Sequence, residues 1–301
     1  MLRPERGGFF VDATLGAGGH AEALLARGPE IRLLGIDRDP DALAGARERL
    51  AAFAGRVEFT QADFGELDRA LEGFPAPDGI LADLGVSSMQ LDQAERGFSF
   101  RRDGPLDMRM GKSGRSAADI VAAASVEELT RIFFDFGEER MAAKIARGIV
   151  AERARGPIAT TRQLARVVAE HKGGREKIDP ATRVFQALRI EVNQELVALA
   201  SFLAAAVARL KVGGRLAVIS YHSLEDRIVK DAMRRESGVC LCPPRMPACV
   251  CGARRALEVL TRRPLRPSDA EVARNPRSRS ARMRVAEKLA IDDAAPERAA
   301  V

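Results

Sequence analysis

Four short apolar runs in the first 85 residues each finish on an aspartate: Phe9 to Ala13 around Asp12, Ile31 to Asp37, "RVEFTQADF" at Asp63 and "PDGILADLG" at Asp83. Helical stretches separate them. His20 to Arg27 reads as one, and a second follows Asp39, an N-cap with Pro40 at the first helical position. Short apolar runs alternating with helices predict a parallel sheet covered on both faces. Ligands of such sheets bind beyond the carboxyl ends of the strands. One acid at a strand end is usually a helix cap or turn residue. Four in succession, behind a glycine-rich first turn, make a ligand rim.

That first turn lies in "VDATLGAGGHAEALL", residues 11–25, where Gly16, Gly18 and Ala21 fit G-x-G-x-x-A. The pattern suits a dinucleotide, whose pyrophosphate needs close backbone approach and whose ribose takes an acid such as Asp37. Two features oppose that reading. His20 stands at the helix start, where a phosphate would sit, and the acids ending the third and fourth strands have no task beside a pyrophosphate. S-adenosylmethionine has an amino-acid head, a sulfonium, a ribose and an adenine, and no phosphate. Asp37 then takes the ribose hydroxyls, Phe64 packs on the adenine with Asp63 or nearby backbone accepting its amine, and Asp83 lies where the sulfonium and methyl point. Phe64 on its own reads better as a core residue at a strand end. A nicotinamide-dependent oxidoreductase stays open as the second reading, and a non-catalytic RNA-binding factor as the third.

After Asp83 the alternation stops. Residues 85–117 form a long loop without periodicity, of the kind that is functional or disordered in a compact domain. Ser116 to Arg175 is helical, with Ser125 as an N-cap and Glu128 three residues on. The α/β pattern resumes with a long apolar helical stretch ending at Gly213-Gly214, a strand at Arg215 to Ser220, a helix, and strands near Ala256–Thr261 and Ser280–Glu287. The fold class expected is α/β: a Rossmann-like sheet of the class I S-adenosylmethionine methyltransferase type with an inserted all-helical domain. Residues 1–105 and 183–289 form the methyltransferase domain, 106–182 the helical substrate-recognition domain, and 290–301 a disordered tail.

Charge and cysteine content restrict the partners. The net charge is +6, and it is unevenly spread. Between Ala253 and Lys288 there are eleven Lys/Arg against four Asp/Glu, which suits a polyanion as well as a solvated face. No window approaches a membrane span. The chain opens MLRPERGG and reaches a strand by Phe9, which fits no signal peptide, so a cytoplasmic location is expected. The four cysteines, Cys240, Cys242, Cys249 and Cys251, form C-x-C-x6-C-x-C. Their thiolates could close a tetrahedral zinc site. The C-x-C spacing is tighter than the usual C-x2-C, and a reducing cytoplasm disfavours a disulfide.

The segments "VDATLGAGGHA", "GIDRDPDAL", "DGILADLGVSSMQLDQAERGFSFRRDGPLDMRM", "RVFQALRIEVNQEL", "VISYHSLEDRIVK" and "NPRSRSARMRVAEK" span Phe9 to Lys288. They resemble the ribosomal RNA small-subunit methyltransferase H (MraW) family, whose members methylate N4 of a cytidine in bacterial 16S rRNA. The resemblance implies cofactor contacts at Gly18, Gly19, His20, Asp37, Phe64, Asp83 and Gln90. It implies S-adenosyl-L-methionine as cofactor and 16S rRNA in the 30S subunit as partner, at the decoding region, with no DNA or membrane partner. Asp83, Asp103 and the segment to Arg109, with His222 nearby, are expected to face the target base. Asp103, Asp107 and Arg109 read equally as a local ion-pair cluster holding the loop, and His222 as a satisfied loop histidine. Two departures stand out. Family members usually carry an H-x-P-V-L-L-x-E segment ahead of the first strand, where this chain begins Met1-Leu2-Arg3-Pro4; without it the substrate side of the cleft is expected to be more open. Tyr221 stands where the family more often has Phe.

Overall fold

The computed structural model describes residues 1–111, 113–172, 179–243, 246 and 250–292. The alternation read from the first 85 residues is realised as β1 (Gly8–Asp12), α1 (Gly19–Leu25), β2 (Ile31–Asp37), α2 (Pro40–Arg49), β3 (Val57–Gln61), α3 (Leu67–Ala70) and β4 (Gly79–Asp83). A helical run follows: α4 (Ser88–Asp92), α5 (Ala117–Ala123), α6 (Val126–Gly137), α7 (Ala142–Arg153), α8 (Thr161–Lys172) and α9 (Thr182–Asn193). The chain then returns through α10 (Glu195–Arg209), β5 (Arg215–Ser220), α11 (Ser223–Glu236), β6 (Arg255–Val259), α12 (Asp269–Arg274) and β7 (Arg282–Asp292).

The seven strands form one sheet in the order β3-β2-β1-β4-β5-β7-β6. β1 to β5 pair in parallel, and β7 runs antiparallel to both β5 and β6. Strand alternation sends successive residues to opposite faces. Phe9, Val11, Leu34, Ile36, Ile80, Leu216 and Val218 pack on one face with Leu67 and Leu71 and with Leu199, Phe202 and Leu203 of α10. Phe10, Ile31, Leu33, Leu81 and Ala217 pack on the other, with Leu24 and Leu25 of α1 and Leu43 and Ala46 of α2. Both faces are covered, so β1, β2 and β4 are apolar along most of their length.

The chain divides into two compact units, Met1–Gly85 with the chain from Leu196 on, and Val86–Glu195. The sequence pattern places these divisions at 105/106 and 182/183 instead. The difference has a packing cause. Phe98, Leu106, Met108 and Met110 of the long loop, and Val184, Phe185 and Leu188 of α9, are buried in the same cluster as Ile132, Phe133, Ile145 and Val167. The apolar stretch that reads as one long helix is broken at Gln194, which adopts a left-handed conformation with φ 52°. Within the helical unit Asn193 fixes the end of α9, donating to the Met108 and Arg189 carbonyls at 2.8 and 2.9 Å and accepting from Met110 N at 2.9 Å. Ser125 caps α6, accepting from Glu128 N at 3.1 Å. At the C-terminal end β7 continues to Asp292, so residues 290–292 of the expected tail belong to a strand; 293–301 lie outside the described residues. Among the described residues no single helix is long and apolar enough to cross a membrane.

Candidate active site

The acids at the ends of β1, β2 and β4 are gathered by the first turn. Asp37 accepts from Gly16 N through Oδ2 and from Asp39 N through Oδ1, both at 2.8 Å. This ties the glycine turn to the end of β2. Gly16 and Gly18 have φ of 52° and 78°, conformations that a side chain disfavours. A Cβ on Gly18 would also lie 3.3 Å from Leu50 Cδ1. Gly18 is thus demanded by backbone conformation and by packing, and Gly19 opens α1.

Asp12 is wholly buried. Its Oδ1 accepts from Thr14 N at 3.3 Å, while Oδ2 has no hydrogen-bond partner among the described residues. Burial drives its pKa up to about 7, opposed by His20 and reinforced by the carboxylates of Asp83 and Asp37. Burial likewise raises Asp37. A buried acid with an unused oxygen, beside two further carboxylates, suits a ligand that brings positive charge and repels a pyrophosphate.

Asp83 is held from three sides. Its amide donates to Thr14 Oγ1 at 2.6 Å. Its Oδ2 lies 3.2 Å from His20 Nε2, and its Oδ1 accepts from the Tyr221 hydroxyl at 2.9 Å. The contact with Asp83 raises the His20 pKa, with burial opposing. Burial and the Asp83 charge push the Tyr221 phenol up, which keeps it a proton donor. Tyr221 follows β5, and its own amide donates to Glu225 Oε2 at 2.8 Å. Each Asp83 oxygen retains a second lone pair for a further donor.

The remaining expected residues divide. Phe64 follows β3, half-buried, with its ring edge-on to Phe202 at 5.6 Å. Asp63 caps the turn containing Phe64, accepting from Gly65 N at 2.8 Å, and pairs with Arg38 at 3.0 Å. His222 is the N-cap of α11: Nδ1 accepts from Glu225 N at 3.4 Å and Nε2 lies 3.1 Å from Glu225 Oε1. Gln90 and Asp103 belong to the helical unit. Gln90 is buried and completes a capping box with Ser87 at the start of α4. Asp103 accepts from Arg162 N at 3.0 Å in the first turn of α8, which holds its pKa below the usual range. Asp107 and Arg109 form a bidentate pair at 2.9 and 2.7 Å. The hydrogen bonds therefore give His222 and Asp103 capping roles, and Asp107 and Arg109 the ion pair weighed from sequence.

Two contributors, Thr14 and Tyr221, are missing from the residues that the sequence assigns to the site, and Asp12 stands there only as a member of the acidic rim. Asp12 has a signal, its place as the first strand-end acid. Thr14 and Tyr221 have only their positions after β1 and β5. Of the cysteines, Cys240, Cys242 and Cys251 come together between α11 and β6; Cys249 lies outside the described residues.

A seven-strand sheet in this order, with only β7 reversed and an acidic rim at the carboxyl ends of β1, β2 and β4, defines a class I S-adenosylmethionine-dependent methyltransferase. Comparison with known proteins narrows the class. The model of the MraW methylase family matches residues 1–289, and the chain belongs to that family. It is 55% identical to the ribosomal RNA small subunit methyltransferase H of Thermomicrobium roseum over 297 residues, covering 97% of this chain and 91% of that protein. The proteins of the same name from Trichlorobacter lovleyi and Anaeromyxobacter dehalogenans are 55% and 49% identical, each over 96% of this chain and over 95% and 94% of their own lengths.

Proposed function

We propose that this chain transfers a methyl group from S-adenosylmethionine to N4 of a cytidine in the decoding region of 16S rRNA, on the 30S subunit. The observation that carries the reading is the grip of Thr14, His20 and Tyr221 on Asp83 beside the glycine turn. The relatives' shared name, which assigns them to small-subunit rRNA, supports the substrate class. The resemblance noted in the sequence supports the cytidine N4 target.

When bound, S-adenosylmethionine supplies an electrophilic methyl on a sulfonium. Asp37 would accept from its ribose hydroxyls, Phe64 would pack against its adenine, and the unpartnered oxygen of Asp12 would be available to its cationic end. Gln90 is retained as a cofactor contact on the resemblance alone. The cytosine amine is a weak nucleophile because its lone pair is delocalised into the ring. Asp83 accepts a hydrogen bond from that amine and turns the lone pair out of conjugation, while His20 and Tyr221 fix the carboxylate. Transfer would form the N–C bond as the S–C bond breaks, with S-adenosylhomocysteine as the leaving group, and the amine proton would pass to solvent or to a nearby carboxylate. Holding the two reactants in line contributes roughly 7–11 kcal/mol.

The connection from β6 to β7 carries the RNA grip. Arg262, Arg263, Arg266, Arg274, Arg277 and Arg279 are all exposed on it. Glu271 of α12, in the same connection, lies near enough to add to the field on the Tyr221 hydroxyl. These arginines would hold the phosphates of an RNA from which the target base is flipped toward Asp83. The test is methylation of 30S subunits with labelled S-adenosylmethionine, followed by nucleoside analysis. N4-methylcytidine is expected. Label in another nucleoside, or none with active cofactor binding, overturns the reading.

A further inference from the structure

Between α11 and β6, which end at Glu236 and begin at Arg255, runs a long link. Its base is closed by an isolated bridge, Ser237 to Arg255, by Arg254 N donating to Arg235 O at 3.0 Å, and by the Arg254–Glu236 ion pair at 2.7 Å. Beyond that base only a few apolar side chains are available to order it, and every cysteine of the protein lies within it.

The sulfur atoms of Cys240, Cys242 and Cys251 all lie within 4.8 Å of one another. Cys240 and Cys251 Sγ are 3.9 Å apart, about twice the 2.0 Å of a disulfide. Thiolates bound to zinc at about 2.3 Å in a tetrahedron stand about 3.8 Å from each other. Two backbone amides also point at these sulfurs: Leu241 N donates to Cys251 Sγ and Val250 N to Cys242 Sγ, each at 3.3 Å. Amide donors favour the thiolate over the thiol, and they orient ligand sulfurs in the way that outer partners orient metal ligands. The half-exposed thiols leave room for a fourth ligand and an entry path.

We propose that Cys240, Cys242 and Cys251 bind a structural zinc ion that closes this connection. Each thiol gives up its proton to solvent on binding, so that three thiolates meet one divalent cation, and a water oxygen or a further donor completes the tetrahedron. The ion does in this link what an apolar core does elsewhere. It fixes a turn of chain whose closure would otherwise cost conformational entropy.

The full chain, purified untagged under reducing conditions, is expected to carry one zinc per molecule by elemental analysis. Native mass spectrometry is expected to show the added mass of one zinc less two protons. Replacing zinc by cobalt(II) is expected to give the sulfur-to-metal charge-transfer and ligand-field bands of a tetrahedral thiolate site. Cys240→Ser, Cys242→Ser and Cys251→Ser each lower the zinc content to background. Each is expected to keep the melting shift given by S-adenosylhomocysteine, which shows that the methyltransferase unit remains folded. Chelation of the wild type is expected to open residues 237–254 to limited proteolysis. A metal-free protein that ignores added zinc, a Cys240–Cys251 disulfide in the reduced preparation, or iron with acid-labile sulfide in place of zinc overturns the proposal.

Discussion

The helical unit and the strand-end rim of the methyltransferase unit treat their acidic side chains in opposite ways. In the helical unit, acids are matched on the spot. Glu139 meets Lys172 at 2.7 Å with both side chains buried, Glu195 takes a bidentate contact from Arg189 at 2.8 and 2.9 Å, and Asp107 does the same with Arg109. In the methyltransferase unit, Asp12 keeps an unmatched oxygen, Asp37 is lifted by burial, and Asp83 is gripped by neutral or titratable donors with no arginine or lysine. Matched acids hold a fold together. Acids left in want of charge hold a ligand, and the fold tolerates their cost because the sheet around them is packed on both faces.

This contrast can be broken at five places. The largest effect is expected on the helical side. Glu139→Ala removes the carboxylate that faces the buried Lys172 ammonium and should cost about 3–5 kcal/mol in denaturant unfolding. Affinity for S-adenosylhomocysteine should stay within a few-fold; a parallel loss would show that Glu139 also serves the ligand.

Next is the pH dependence of Asp12. Its pKa is raised from 3.8 to about 7 in the fold, so its protonated form is favoured there. Its contribution to stability is complete below pH 3.8 and is lost as pH rises through about 7. A shift of this size corresponds to ~4 kcal/mol as an upper bound. Asp12→Asn should therefore flatten the stability profile of the unliganded protein between these limits, while weakening cofactor binding above pH 7. A profile unchanged by the substitution would mean that Asp12 titrates in the fold as it does in the unfolded chain.

Asp83→Ala should then lower the single-turnover rate of methyl transfer, read at saturating cofactor, by about 10²–10³, the usual loss on removing one preorganised polar partner. Asp103→Ala, by contrast, should loosen the first turn of α8 and leave the rate per folded molecule within a few-fold. Equal losses for the two would restore Asp103 to the reacting centre.

On the basic connection, Arg277→Ala and Arg279→Ala should each weaken binding to rRNA. Each lost phosphate contact should reduce the slope of log affinity against log salt by about 0.7–0.9. Smallest is Tyr221→Phe. It removes the hydroxyl bonded to Asp83 and keeps the ring, and the rate should fall only a few-fold because His20 still holds the carboxylate and Thr14 the backbone amide of Asp83.

Much of the sheet can be read along the chain because its information is local. Asp39 caps α2 as expected, accepting from Asp41 N at 3.1 Å, and the four acids fall at or just past strand ends. The same locality explains what stays hidden. Tyr221 and Asp83 are 138 positions apart, and nothing in "VISYHSLEDRIVK" indicates that the phenol reaches across from β5 to β4. The long loop looks structureless because its apolar residues have no period of their own; they fill gaps in a core made by other helices. Asp103 has the charge and loop position of a catalytic acid, and nothing in the sequence around it indicates its long-range bond to Arg162 N. Gln194 breaks an apolar run that composition alone would continue, because Asn193 before it spends its side chain on the backbone of the loop.

The central claim is that the acids at the ends of β1, β2 and β4 receive a positively charged, phosphate-free methyl donor. Isothermal titration of the full chain with S-adenosylmethionine, S-adenosylhomocysteine and NAD tests it most directly. The account expects heat from the first two, lost in Asp37→Ala, and none from NAD. Binding of NAD with no response to either sulfur compound would contradict it.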